Sequence, residues 1–389
     1  MRWHLFPEIR IPQKQIALFE EEQDLMKVLD MQQEQLARSL GEGHRVIHGV
    51  AGSGKTLILG YRAEHLARVC AKPILVLCYN KTLAQRLTRL IEAKKLTGKV
   101  VVRNFHRWAF DQLNAYHAGL PPKLPDANAW YAAMIQKLIE SVDRGLVPKA
   151  QYDAVLIDEG HDFEPQWLKL VVQMVDPRAN SLLVLYDDAQ SIYAKASRPK
   201  FSFKSVGIQA AGRTTILKVN YRNTQEILEL AKFAASGLLK AKDSDEDGVP
   251  VLAPVGAGRH GPEPLTIKLP TLKDEGAFIA DKFHAAHKEG LPWKDMAVVY
   301  HDYRAVGGTV LASLRARGIP VTFHKDATFA ESEDTVKFLT MHSCKGLEFP
   351  LVAIPGTKAL LGDPKEREQR ARLLYVAMTR ATRQLIVMA

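Results

Sequence analysis

The eight residues Gly49-Val-Ala-Gly-Ser-Gly-Lys-Thr56 constrain this chain more than any other stretch. Three glycines within six positions permit a tight backbone turn that side-chain-bearing residues resist. The run begins in the apolar stretch Arg45–Val50 and opens a helix near Leu57. Glycines at this spacing, between a strand and a helix, let backbone N–H groups and the helix N-terminus cradle phosphate. Gly49, Ala51, Gly52, Ser53, Gly54, Lys55 and Thr56 are therefore candidate nucleotide-binding residues. Lys55 would reach the β- and γ-phosphates of ATP, and the Thr56 hydroxyl would hold Mg²⁺.

Such a loop belongs to an α/β sheet, and the surrounding sequence agrees. Short apolar runs at Arg45–Val50, Pro73–Cys78, Lys99–Arg103, Ala154–Asp158 and Ser181–Leu185 alternate with helical stretches. That alternation predicts parallel strands with crossover helices on both faces, and ligands just beyond the strands' carboxyl ends. A second series begins near Thr214 and runs through Pro264–Leu269, Met296–Tyr300, Thr335–Thr340 and Leu385–Met388. The expected division is a leader at 1–28, a first domain at 29–205, a linker at 206–213 and a second domain at 214–389. Residues 111–150, with the proline-rich turn Leu120–Pro125 and a helix near Asn128–Val142, read as a small insertion in the first domain. The linker region as a whole is the stretch Ser202–Arg213.

A strand bearing acids should follow the phosphate loop, and Ala154-Val-Leu-Ile-Asp-Glu159 does. Asp158 is expected to hold Mg²⁺, making Thr56 and Asp158 the candidate metal ligands. Glu159 is expected to position and deprotonate an attacking water. Two other polar clusters carry less. Asp243, Asp245, Asp247 and Gly248 begin like a calcium loop, but Pro254 stands where a bidentate glutamate is needed, so a solvated turn is expected. His284 and His287 lack a third ligand and read as surface histidines.

With these residues in place, the sequence resembles the UvrD/Rep/PcrA branch of superfamily 1 helicases, with motifs in the family's order from about Leu29 to Ala381. Leu29-Asp-Met-Gln-Gln33 resembles the Q motif, which implies that Gln33 reads the adenine edge. Asp158-Glu-Gly-His-Asp162 resembles the family's DEAQD box, with His161 in place of glutamine. Tyr186-Asp-Asp-Ala-Gln-Ser-Ile-Tyr193 resembles GDxxQSIY, with Tyr186 replacing the first glycine. By resemblance Gln190 senses the γ-phosphate and Tyr193 stacks on a base. Leu217-Lys-Val-Asn-Tyr-Arg222 resembles the NYR motif, implying Tyr221 on the adenine and Arg222 at the γ-phosphate. Thr340-Met-His-Ser-Cys-Lys-Gly-Leu-Glu-Phe349 resembles THxxKGLEF, implying Glu348 near the nucleotide and His342 near nucleic acid. Leu374-Tyr-Val-Ala-Met-Thr-Arg-Ala381 resembles YVAxTRA, whose arginine falls on Arg380. The implied fold is two RecA-like P-loop domains, each a mainly parallel sheet flanked by helices, with ATP in the cleft between them. The catalytic set would be Lys55, Asp158, Glu159, Gln190, Arg222 and Arg380.

The formal charge of +10 favours a polyanionic partner through counterion release, but the motifs must name it. The family's strand-touching segments correspond to Tyr79-Asn80-Lys81 and Asn104-Phe105-His106, with Cys78 at a phenylalanine position and Asn104 at a threonine. Tyr79, Asn80, Phe105, His106, Tyr193 and His342 are the candidate nucleic-acid contacts. For Phe105 and Trp108 core packing is an equal alternative to base stacking. The resemblance implies ATP and Mg²⁺ as cofactors and single-stranded or tailed duplex DNA as the track, with 3′-to-5′ movement. About ten residues separate Val321–His324 from Thr335, where relatives insert a subdomain, so a compact form is expected. That compactness leaves open a non-unwinding motor that serves a nuclease, repair or phage-defence partner. Three cysteines with no CxxC pair, and no apolar run of about 18 residues, suit a reducing cytoplasm rather than a membrane.

Overall fold

The computed structural model describes residues 22–187, 201–234, 254–323, 333–361 and 367–389. Two compact units divide between Lys218 and Val219 among these residues. Gln190, Tyr193 and the acidic loop Asp243–Gly248 lie outside the described residues.

In the first unit α1 (Glu22–Ser39) precedes β1 (His44–Gly49) and α2 (Lys55–Val69). There follow β2 (Ile74–Cys78), α3 (Lys81–Ala93), β3 (Val100–Asn104), α4 (Phe105–Ala115) and α5 (Ala127–Asp143). The unit continues through β4 (Ala154–Ile157), α6 (Pro165–Val172), β5 (Ser181–Tyr186) and β6 (Thr214–Leu217). These six strands form one parallel sheet in the order β3-β2-β4-β5-β1-β6. Both faces are covered, so strands such as Ile74-Leu-Val-Leu-Cys78 are apolar and buried throughout. The two-residue period divides them cleanly. Leu75, Leu77, Val155 and Ile157 face one core, while Ile74, Val76, Ala154 and Leu156 face the other.

Two boundary expectations are corrected here. Thr214–Leu217 does not open the second sheet; it pairs in parallel with β1, Val46 opposite Thr214. The stretch Ser202–Arg213 is not a free linker, because Phe203, Val206, Ile208 and Ala210 are buried in the first core. Within the stretch 111–150, α5 buries Met134, Ile135, Leu138 and Val142 in that same core. The segment 203–210 and α5 had a sheet face to cover, and β6 had a free edge of β1 to pair with, neither of which polarity along the chain reveals.

The second unit begins with β7 (Val219–Asn220), α7 (Gln225–Ala234) and β8 (Val255–Gly256), where β7 and β8 pair in parallel. Then come β9 (Leu265–Ile267), α8 (Leu272–Lys288), β10 (Met296–Tyr300), α9 (Gly308–Ala316) and β11 (Val321–Phe323). The chain closes with β12 (Val336–Thr340), β13 (Phe349–Ile354), α10 (Thr357–Leu361), α11 (Arg367–Met378) and β14 (Ala381–Met388). Its parallel sheet runs β11-β12-β10-β13-β14-β9. Ile279, Phe283, Val310 and Leu314 from α8 and α9 pack on Val298, Phe338 and Ala353. Among the described residues no helix is long and apolar enough to cross a membrane.

Candidate functional site

In the first unit the phosphate loop leaves the carboxyl end of β1 and turns into α2. Gly52 and Gly54 have φ of 75° and 84°, the left-handed region that an L side chain resists. Lys55 is buried at the first position of α2. Its Nζ donates to Gly49 O at 2.7 Å and Val50 O at 3.0 Å, and contacts Asp187 Oδ2 at 3.2 Å. The backbone N–H groups of the first turn of α2 cannot be satisfied within the helix, which leaves donors for an anion.

Asp158 follows β4 directly and is 2% exposed. Thr56 Oγ1 donates to its Oδ2 at 3.1 Å, and the Glu159 N–H to its Oδ1 at 2.9 Å. Burial, then the neighbouring Glu159 charge, pushes the Asp158 carboxyl up to about 7, while Lys55 and the Thr56 hydroxyl pull the other way. A hydroxyl and a buried carboxylate at hydrogen-bonding distance suit a small, hard divalent cation, whose charge would offset that desolvation. Glu159 adopts φ 52° and ψ 48°, an uncommon conformation for a side-chain-bearing residue and one concentrated at functional sites. Ser53 Oγ, Gln33 Oε1 and Glu159 Oε2 are buried with no hydrogen-bond partner among the described residues. Buried polar atoms are normally satisfied, so three such atoms at this loop suit a polar ligand such as a nucleoside triphosphate.

Gln33 is held against this loop. Its Nε2 donates to Ser53 O at 3.0 Å, and it is buried where Gln32 is only partly so. Asp187, the acid directly after β5, has no role in the motif reading, yet it is a residue that holds Lys55.

Within the second unit, Arg222 Nη2 donates to Glu348 Oε1. Asn220 Oδ1 accepts from the N–H groups of Arg222 and Asn223, both at 2.9 Å, which fixes the turn that carries Arg222. Asn223 Nδ2 reaches Thr379 O at 3.1 Å, tying that turn to the segment bearing Arg380. Arg380 is 2% exposed and donates to Val376 O (3.0 Å), Leu347 O (3.4 Å) and Thr379 Oγ1 (3.3 Å). Tyr221, next to Arg222 in sequence, is buried, and burial pushes its hydroxyl up to about 12. Arg259, which no sequence signal marked, donates to the carbonyls of Tyr221 and Arg222 and braces the turn from a distant loop. His342 lies exposed in the turn after β12.

The candidate nucleic-acid contacts divide. Tyr79, at the end of β2, is 44% exposed. Its ring lies nearly parallel to Trp167 (6.1 Å, 14°), which in turn stacks on Phe105 (4.6 Å, 18°). His106 meets Tyr79 edge-on at 5.5 Å, and burial and Lys81 lower its pKa. Phe105, however, is fully buried and cannot reach a strand, and Trp108 is buried with its Nε1 donating to Tyr152 OH at 3.3 Å. Phe105 is thereby corrected from contact to core: as the first residue of α4 it faces inward onto Phe163 and Trp167. Asn80 and Asn104 are both helix N-caps, accepting at 2.8 Å from the N–H groups of Thr82 and Arg107. His284 and His287 have local partners, Arg317 O at 3.0 Å and a stack on Trp293 at 4.0 Å.

Residues 32–196 match an AAA domain, and residues 335–388 match the UvrD-like helicase C-terminal domain. ATP-dependent DNA helicase PcrA from Staphylococcus epidermidis ATCC 35984 is 39% identical over 71 residues, 16% of this chain and 10% of that protein. The same-named protein of Staphylococcus aureus MRSA252 is 42% identical over 72 residues, again 16% of this chain and 10% of that protein. The chain thus matches only about a tenth of the length of these relatives. A solved structure, the C-terminal domain of a possible DNA helicase from Lactobacillus plantarum WCFS1, aligns with 20% identity. It covers 43% of this chain and 86% of that one with a TM-score of 0.32, too low to support an argument.

Proposed function

We propose, proceeding from the chain's being a UvrD/PcrA-like helicase-family protein, that it hydrolyses ATP to move along single-stranded DNA. The observation that carries this reading is the phosphate loop with Thr56 Oγ1 3.1 Å from Asp158 Oδ2 and Lys55 buried beside them. Lys55 and the N-terminal amides of α2 would hold the phosphates, and Thr56 and Asp158 would hold Mg²⁺. Bound Mg²⁺ would supply charge neutralisation at the β- and γ-oxygens. Glu159 would take a proton from the attacking water.

On this reading Gln33 and Tyr221 meet the adenine, Glu348 lies near the nucleotide, and Gln190, Arg222 and Arg380 respond to the γ-phosphate. Two arginines contributed by the second unit would stabilise a closed arrangement only while that phosphate is attached, and hydrolysis would release it. Tyr79, Asn80, His106, Tyr193 and His342 would line the track, and movement would run 3′ to 5′ as the family resemblance implies. The test is ATPase activity with and without single-stranded DNA. Stimulation by the strand and its loss in Lys55→Ala are expected; equal rates in all samples would defeat the reading. Strand displacement on 3′- and 5′-tailed duplexes then separates an unwinding enzyme from a motor that needs a partner.

A further inference from the structure

The two peptide units that flank the Cα of Arg222 are hydrogen-bonded at both ends. Their N–H groups, on Arg222 and Asn223, both donate to Asn220 Oδ1 at 2.9 Å. Their carbonyls, on Tyr221 and Arg222, both accept from Arg259 Nη1, the first at 3.2 Å. A peptide unit is planar, so pinning both units leaves the φ and ψ of Arg222 little freedom and sets the direction of its Cα–Cβ bond. Asn220 supplies one half of this hold from within the same turn, and Arg259 supplies the other from 37 positions away. The loop that bears Arg259 is itself fixed to the turn. The Gln225 N–H donates to Arg259 O at 2.7 Å, the Ala257 N–H to Asn220 O at 3.0 Å and the Gly261 N–H to Glu226 Oε2 at 3.0 Å. A Cβ on Gly261 would come within 2.7 Å of Thr224 Cγ2, so the two segments lie in close contact.

We propose that Arg259 is a positioning residue for ATP hydrolysis, aiming the Arg222 guanidinium by holding the backbone beneath it. The inference rests on the ATPase reading above, in which Arg222 responds to the γ-phosphate. A small rotation of the backbone at Arg222 is magnified at the far end of so long a side chain, and misplacement by about 1 Å can cost about 10²-fold in rate. Glu348 meets the guanidinium at its tip, and Arg259 with Asn220 fixes its root. A single nitrogen, Nη1, makes both carbonyl bonds, so the one ammonium of a lysine has the donors to replace it, whereas alanine has none.

The test uses the full chain with saturating ATP and single-stranded DNA. Release of radiolabelled phosphate is measured for wild type, Arg259→Ala, Arg259→Lys, Arg222→Ala and the double variant Arg222→Ala/Arg259→Ala, beside thermal melting of each. Arg259→Ala should lose about tenfold in kcat, and Arg259→Lys should recover most of it. In the Arg222→Ala background the same substitution should cost less than about twofold, because a residue that acts through Arg222 then has nothing to aim. If Arg259→Ala melts below the assay temperature, Arg259→Met, which keeps a long stem but has no donor, carries the same expectations. An unchanged kcat in Arg259→Ala, no recovery in Arg259→Lys, or an undiminished loss in the Arg222→Ala background overturns the proposal. An inactive wild type overturns the ATPase reading and this inference together, whereas an active wild type beside an equally active Arg259→Ala overturns this inference alone.

Discussion

Lys55 Nζ stands 3.2 Å from Asp187 Oδ2, both side chains buried, with two loop carbonyls completing the lysine's shell. The phosphate-loop lysine is thus satisfied by the protein itself, and an entering phosphate must compete with a carboxylate for it.

Asp187→Asn should therefore bind ATP more tightly than wild type while the nucleotide-free protein melts earlier. Removing one partner of a buried ion pair strands the other, at a cost of up to about 3–5 kcal/mol, less whatever the two carbonyls recover. Isothermal titration with an ATP analogue and calorimetric melting measure the two effects, and weaker ATP binding would contradict the competition.

Asp158 titrates abnormally high, near 7, because it is buried beside Glu159. Between the ordinary carboxylate range and about 7, the folded chain retains a proton that the unfolded chain has released. The stability this contributes is full below that range, falls as pH rises, and is gone above about 7. Asp158→Asn stays neutral, so in the presence of EDTA its melting temperature should exceed wild type at pH 8 and match it near pH 4. An equal difference at both pH values would count against the shift.

Arg222 and Arg380 should separate in a mutational test. Arg222 is partly exposed and paired with Glu348, so Arg222→Ala should leave melting within a few degrees while ATP turnover falls about 10³-fold. Arg380 is buried and bonded to three oxygens, so Arg380→Ala should cost both activity and about 1–3 kcal/mol of stability. Denaturant titration beside ATPase assays distinguishes them.

Tyr79→Ala should weaken single-stranded DNA binding by about 1–3 kcal/mol and leave stability nearly unchanged, since much of the ring is open to solvent. Phe105→Ala should instead lose about 3–5 kcal/mol of stability, because it empties a packed site against Trp167 and Phe163. Fluorescence anisotropy with a labelled oligonucleotide and thermal melting form the two readouts. Loss of binding without destabilisation in Phe105→Ala would reverse the assignment.

The nucleotide half of the site was legible because its chemistry is local. Gly52, Gly54, Lys55 and Thr56 work through the backbone path of one short loop, and glycine spacing records that path directly. Asp158 was legible because a strand of four apolar residues ends on it. Contacts between distant segments left weaker traces: Asp187 on Lys55, 132 positions apart, and Arg259 under Arg222, 37 apart.

The sequence alone therefore determined two parallel α/β units, the loop that would take phosphate, and the order of the motifs around it. Periodicity and glycine placement are short-range properties, and they survive in a linear string. Only the tertiary structure decided that β6 belongs to the first sheet, that Phe105 is core while Tyr79 is surface, and that Asp187 occupies Lys55. Each of those outcomes depends on which apolar face is left to cover, or on which charge a buried cation meets once the chain has closed around it. The phosphate loop was written in the sequence, and the carboxylate that occupies its lysine emerged only with the fold.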